Sequence, residues 1–118
     1  MPHTEVSREM RECIQNCVDC RSLCTEMLSH CLRLGGPHAD AGHIRMVLDC
    51  IQICGTSADF MLRGSDVHPL ICEICAEVCR HCAEDCRNIA KGDEVMLRCA
   101  EQCERCSESC ERMAQARA

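Results

Sequence analysis

Residues 72–86 read Cys72-Glu73-Ile74-Cys75-Ala76-Glu77-Val78-Cys79-Arg80-His81-Cys82-Ala83-Glu84-Asp85-Cys86. The cysteines follow one another at steps of three, four, three and four residues. That is the a/d rhythm of a helix facing the core of a bundle. In an ordinary bundle those positions hold Leu and Ile, because the seam must be dry. Here each of them is a thiol. A zinc finger instead sets close C-x2-C pairs in knuckles and loops, with a distant second pair. This stretch has no such break, so sulfur lines one helix face along its whole length.

Working outward, the stretch sits in a helix predicted over residues 68–91. His68-Pro69 opens it, with proline suited to the first turn, and Lys91-Gly92 closes it. Its seam reads His68, Cys72, Cys75, Cys79, Cys82, Cys86, Ile89. Asp93 is a good N-cap for a last helix over 94–114, with the seam Met96, Cys99, Cys103, Cys106, Cys110, Met113. The outside of that helix is read as polar through Glu101, Gln102, Glu104, Arg105, Glu108, Glu111 and Arg112. So short a connection makes these two helices antiparallel neighbours.

Upstream, the first helix is predicted over 5–34. Thr4 or Ser7 starts it, and Gly35-Gly36-Pro37 stops it. Its seam is Met10, Cys13, Cys17, Cys20, Cys24, Met27, Cys31, Leu34. The second helix follows Asp40, over 41–63, with the seam His43, Val47, Cys50, Cys54, Ser57, Met61. It carries only two cysteines. Its opposite face holds Ile44, Leu48, Ile51, Ala58 and Leu62, and a helix apolar on two faces is buried on two faces. The helix either packs centrally or forms a contact between copies of the chain, that is a homo-oligomer.

All 16 cysteines fall on the four seams. The expected fold is therefore all-α: an up-down-up-down antiparallel four-helix bundle with a cysteine-lined core, one domain over residues 1–118. The single aromatic residue, Phe60, and the absence of Trp and Tyr mean that thiols must fill the core, which they can do as small hydrophobes.

A net charge of -6 argues against nucleic acid or an anionic membrane surface as partner. No stretch approaches the roughly 18 apolar residues of a membrane span. The first residues, Met1-Pro2-His3-Thr4-Glu5-Val6, show no apolar core of a signal peptide. The expected location is the cytoplasm, where thiols stay reduced. A secreted disulfide scaffold is disfavoured by the same observations and by the strict helical spacing.

Seven pairs have the spacing C-x3-C: Cys13/Cys17, Cys20/Cys24, Cys50/Cys54, Cys75/Cys79, Cys82/Cys86, Cys99/Cys103 and Cys106/Cys110. Side chains at i and i+4 face the same way, with Cβ atoms about 5–6 Å apart. Two sulfurs on one ion suit a soft d10 cation such as Cu(I), and soft thiolate and thioether ligands select it. Each Cu(I) replaces one proton, so a filled core need not bury net charge, whereas empty thiolates would. The candidate ligands are these fourteen residues together with Cys31 and Cys72. Zinc needs four tetrahedral ligands, and the second helix looks too poor in sulfur to complete such levels. An iron–sulfur cluster favours a loop. No thiol stands beside a base or an oxyanion site, so an enzyme is not expected.

Accessory ligands are proposed at the ends of the seams. Met27 precedes Cys31 by four, Met46 precedes Cys50 by four, and His68 precedes Cys72 by four. Met96 and His43 complete the set, although methionine at a seam is more often packing, and for His43 and His68 ligand and cap stay equally open. His3, His30 and His38 read as solvated. One end of the tube gathers Met27, Cys31, His43, Met46 and Met96. The other gathers Met10, Met61, His68 and Met113, with Phe60, Leu62 and Leu70 as a plug. The first end is the expected mouth for copper, since thioether and imidazole hold Cu(I) less tightly than thiolate.

The chain resembles the cytosolic branch of the four-helix-bundle copper storage proteins. The resemblance spans the whole chain. It rests on the repeated C-x3-C pairs on all four helices, the Gly35-Gly36-Pro37 break and the His68-Pro69 start; the cysteine-poor second helix departs from it. It implies many Cu(I) ions per chain, no redox or catalytic role, and assembly as a homotetramer. The function expected is therefore storage, buffering and detoxification of Cu(I), with copper-donor or copper-acceptor proteins as candidate partners. A thiol redox or stress-sensing bundle, and a Zn/Cd sponge of metallothionein type, are the alternatives.

Overall fold

The computed structural model describes residues 6–115, and these form four helices: α1 Arg8–Leu34, α2 Ala41–Leu62, α3 His68–Ala90 and α4 Glu94–Gln115. One turn of 3-10 helix, Gly36–Ala39, joins α1 to α2. Each helix packs against its neighbours in sequence, and α1 closes the ring against α4. The bundle is long and narrow, 52 × 19 × 17 Å.

The helix ends follow local chemistry. Ser7 Oγ accepts the Met10 N–H at 3.1 Å and starts α1. The alternative start at Thr4, like His3, lies outside the described residues. Gly35 stops α1 at φ +70°, a left-handed conformation that costs glycine little, and its N–H bonds the Cys31 carbonyl at 3.1 Å. Asp40 accepts from the Gly42 and His43 amides at 3.0 and 3.4 Å. Pro69 occupies the first turn of α3, where a missing N–H costs nothing. Asp93 accepts the Met96 N–H at 3.0 Å and caps α4. The predicted and observed ends of the four helices agree to within three residues.

The core is sulfur. All sixteen cysteines are buried, none more than 1 % exposed. Met10, Met61 and Met113 close one end, and Met27 and Met96 are buried toward the other.

Several expectations fail at the margins of the seams. Leu34 is exposed, because α1 ends there and the chain turns away at Gly35. Ile89 is only half buried, and Ala90 takes the deep position instead. Leu62 and Leu70 are exposed and Phe60 half buried, so they do not plug the tube. The Phe60 ring lies beneath the Arg63 guanidinium, 4.8 Å from the ring centre.

Gln102 is not on the polar outside of α4. It is buried and donates to the Asn16 carbonyl at 3.1 Å while accepting from Arg105 at 2.8 Å. His30 is not free in solvent either, since it pairs with Asp93 at 2.7 Å. His38 has a buried Nε2 that lacks a hydrogen-bond partner.

Candidate metal centre

All sixteen cysteines are free thiols. The C-x3-C spacing pairs sulfurs along each helix. The structure adds a denser set of contacts between helices. Toward the Met10 end, Cys110 Sγ lies 3.6 Å from both Cys13 and Cys17, and Cys106 lies 3.6 Å from Cys17. Cys72 there faces the Ser57 hydroxyl at 3.4 Å. Further along, Cys54 is 3.9 Å from Cys75, 3.5 Å from Cys79 and 3.9 Å from Cys106. Among the C-x3-C pairs, Cys75 and Cys79 approach to 3.9 Å.

Near the middle, Cys50 touches Cys20, Cys24, Cys79 and Cys103 at 3.8 to 4.0 Å. The two cysteines of α2 are therefore junctions: Cys50 and Cys54 each bridge sulfurs of other helices. Sulfur-poor in sequence, α2 is not sulfur-poor in space. Contrary to the expectation from its sulfur-poor sequence, this helix does contribute to groups of four thiols. Four such groups exist among the described residues, and two of them are Cys17/Cys75/Cys106/Cys110 and Cys54/Cys75/Cys79/Cys106.

Toward the turns, the partners change. Cys86 contacts the Met27 thioether at 3.5 Å, so Met27 meets a thiol of α3, a partner its spacing from Cys31 did not suggest. Cys31 meets His43 Nε2 at 3.4 Å. The other ring nitrogen, Nδ1, bonds Asp85 at 2.6 Å. His43 thus spans from a core thiol to a partly exposed carboxylate. Asp85 and His43 line an open pocket of about 420 Å³ with Asp40, Met46, His81 and Glu84. Met46 is half buried and faces this pocket; Met96 is fully buried. At the opposite end, His68 Nδ1 bonds the Ser65 carbonyl at 2.8 Å, a capping role. Asp85 is the residue at this candidate site that sequence reading missed. Its partner lies 42 positions away, and no local spacing relates the two.

Burial governs the protons. It raises the Cys31 thiol to about 11, helped by the negative charge of Asp93 and then of Cys99 and Asp85. Deeper in the column, neighbouring sulfurs share protons. Contact with Cys103 holds Cys20 well below the usual thiol range, and contact with Cys20 holds Cys103 well above it. The buried polar residues are His43, Ser57, His68, Gln102, Ser107 and Ser109, none a Lys or Arg. Such a core makes uncompensated thiolate charge costly and favours ions that offset it.

Known proteins share this architecture. Over residues 6–115 the chain matches the family described as copper storage protein. It is 33 % identical over 66 residues to the uncharacterised cysteine-rich protein YhjQ of Bacillus subtilis, a match spanning 56 % of this chain and 61 % of that protein. The Nmul_A1745 protein of Nitrosospira multiformis superposes with a TM-score of 0.86 at 39 % identity, covering 92 % of this chain and 96 % of that one. The Cu(I)-bound copper storage protein BsCsp3 of Bacillus subtilis superposes at 0.83 and 30 % identity, covering 91 % and 99 %. A cytosolic copper storage protein from Streptomyces lividans, loaded with five coppers, gives 0.83 and 29 %, covering 92 % and 93 %. With a sulfur column running the length of its bundle and a family match across its described residues, this chain belongs to the copper storage protein family.

Proposed function

We propose that this chain stores Cu(I) inside its bundle, bound by cysteine thiolates. The observation that carries the reading is the column of sixteen buried, reduced thiols. Most of its close contacts are sulfur to sulfur, and among the described residues no Lys or Arg is buried beside it. A column of that kind fills without charge only if each proton is exchanged for a monovalent soft ion. The ligand set is Cys13, Cys17, Cys20, Cys24, Cys31, Cys50, Cys54, Cys72, Cys75, Cys79, Cys82, Cys86, Cys99, Cys103, Cys106 and Cys110. The Cu(I)-bound relative supports the choice of ion.

The mouth lies at the turns. His43 is supported as a relay ligand by its contacts to Cys31 and Asp85, and Met46 by its place in the open pocket. Met27 and Met96 serve as thioether ligands just inside. His68 is the weakest of the accessory set, because Ser65 holds one of its ring nitrogens. Storage of this kind involves no turnover. It suits the cytoplasm, the compartment named for the Streptomyces relative, and no helix among the described residues is long and apolar enough to cross a membrane. Assembly as a homotetramer, and exchange with copper-donor or copper-acceptor proteins, belong to the same reading.

Anaerobic titration of the reduced protein with Cu(I) against a competing chelator tests it. Capacity on the order of one ion per cysteine is expected. A plateau near four ions would replace the copper column with tetrahedral sites.

A further inference from the structure

Cys20, Cys24, Cys50 and Cys103 form a closed set of four sulfurs drawn from α1, α2 and α4. Cys20 lies 3.8 Å from Cys50 and 3.6 Å from Cys103. Cys24 lies 3.9 Å from Cys50 and 3.8 Å from Cys103, and Cys50 lies 4.0 Å from Cys103. Every pair in the set is within 4.8 Å. A tetrahedron with zinc–sulfur bonds of about 2.3 Å has edges of about 3.8 Å. Five of the six edges, at 3.6 to 4.0 Å, are close to that length. Four sulfurs placed to surround one point suit Zn2+, which takes four thiolates tetrahedrally. This arrangement differs from the two- and three-sulfur sites that Cu(I) accepts.

We propose that, in the absence of copper, this chain holds a single Zn2+ at Cys20, Cys24, Cys50 and Cys103. Zn2+ enters as four thiol protons leave, giving a tetrathiolate of charge two minus. Two features hold the count to one ion. The group Cys20/Cys50/Cys54/Cys79 shares two sulfurs with this site and cannot be filled at the same time. A second tetrathiolate further along the column would bury two more negative charges in a core without Lys or Arg.

The same charge makes the zinc replaceable. Four Cu(I) ions on the four thiolates form a neutral group and release Zn2+, so the exchange balances in charge and removes the buried dianion. Zinc therefore acts as a placeholder. It keeps these four sulfurs deprotonated and gathers α1, α2 and α4 around one point until Cu(I) arrives.

The test is anaerobic titration of the full reduced chain with Co2+, whose visible d–d bands report tetrahedral tetrathiolate coordination, followed by Zn2+ and then Cu(I). One Co2+ per chain should bind with that spectrum, one Zn2+ should bleach it, and Cu(I) should release the zinc to a chromophoric chelator. Cys50→Ser and Cys103→Ser, each checked for helicity by circular dichroism, should both lose the tetrathiolate bands. Cys72→Ser, outside the set, should lower copper capacity yet keep them. No tetrahedral spectrum, bands that survive both substitutions within the set, or a plateau at two or more divalent ions would each overturn the proposal. Full copper capacity alongside any of these leaves the storage reading standing; loss of copper capacity in the parent chain overturns storage instead.

Discussion

Cys24 of α1 and Cys99 of α4, 75 positions apart in the chain, bring their sulfurs to 3.3 Å. This contact is shorter than every thiol contact described above. It lies toward the end of the bundle where His43 and Asp85 open onto the surface. A disulfide needs the sulfurs at about 2.05 Å, so this pair has about 1.3 Å to close. Mild oxidation of the copper-free protein should therefore join Cys24 to Cys99 early, and Cu(I) capacity should fall by about two. Peptide mapping after alkylation checks the pairing; a first disulfide elsewhere in the column would refute it.

The copper-free chain should already be helical. Thiols pack as small apolar groups, and the caps at Ser7, Asp40 and Asp93 are hydrogen bonds from backbone amides to side-chain oxygens that involve no thiol. Far-ultraviolet circular dichroism of the reduced, metal-free protein should show a helical spectrum that copper changes little. A coil spectrum that becomes helical on loading would show metal-driven folding, as in zinc fingers.

Replacing His43→Ala together with Met46→Leu should slow Cu(I) uptake severalfold and leave final capacity nearly unchanged. His43 connects Cys31 to the pocket and Met46 lines it, whereas storage resides in the thiols. Stopped-flow loading measures the rate. If uptake holds there and slows when Met10, Met61 and Met113 are replaced, the mouth is at the other end.

The copper-free bundle should lose stability as pH rises above about 9. The folded Cys31 thiol titrates at about 11, above its ordinary value of 9.0. The unfolded chain therefore releases this proton first. The stabilisation is fully present below pH 9 and is lost between 9 and 11. Thermal melts across that range should show a falling midpoint. Copper-loaded protein, which has already given up its thiol protons, should show a much smaller decline.

The outer face of α2, with Leu48 47 % exposed and Ile44 and Ile51 half buried, should be covered in a homo-oligomer. Ala58, counted on the same face from the sequence, is instead buried within the chain, and Leu62 lies at the helix end. Sedimentation at micromolar concentration should show a species larger than one chain, and Leu48→Glu should dissociate it. A monomer in the parent protein would remove this face from the argument.

What could be read before any coordinates is what the backbone settles within a few residues. A helix places i, i+3, i+4 and i+7 on one face, so the steps of three and four from Cys72 to Cys86 were enough to bury all five. Gly35, Pro69 and Asp93 punctuate the chain through their own conformational limits and hydrogen-bonding atoms. Sulfur in that pattern also names the chemistry, because few other side chains combine apolar packing with soft ligation.

Which sulfur meets which was not legible, because contacts between helices depend on how far each slides and turns along its neighbour. Cys50 became a junction of four thiols, and Cys24 met Cys99, through that axial register. Part of the register is set by polar ties the seam pattern does not contain. Asn16 donates to Ser109 at 3.1 Å, Gln102 donates to the Asn16 carbonyl, and Ser107 donates to the Ala76 carbonyl at 2.8 Å. Read one helix at a time, Gln102 belongs to a polar outer face, and Asp85 to a charged flank. Burial against α1 made the first a tie between helices, because a buried amide must find partners. The approach of α2 and α3 made the second a partner for His43. The pattern in the chain thus decides that sixteen thiols share one dry column, while packing alone decides the distances between them, and with those distances the metal sites.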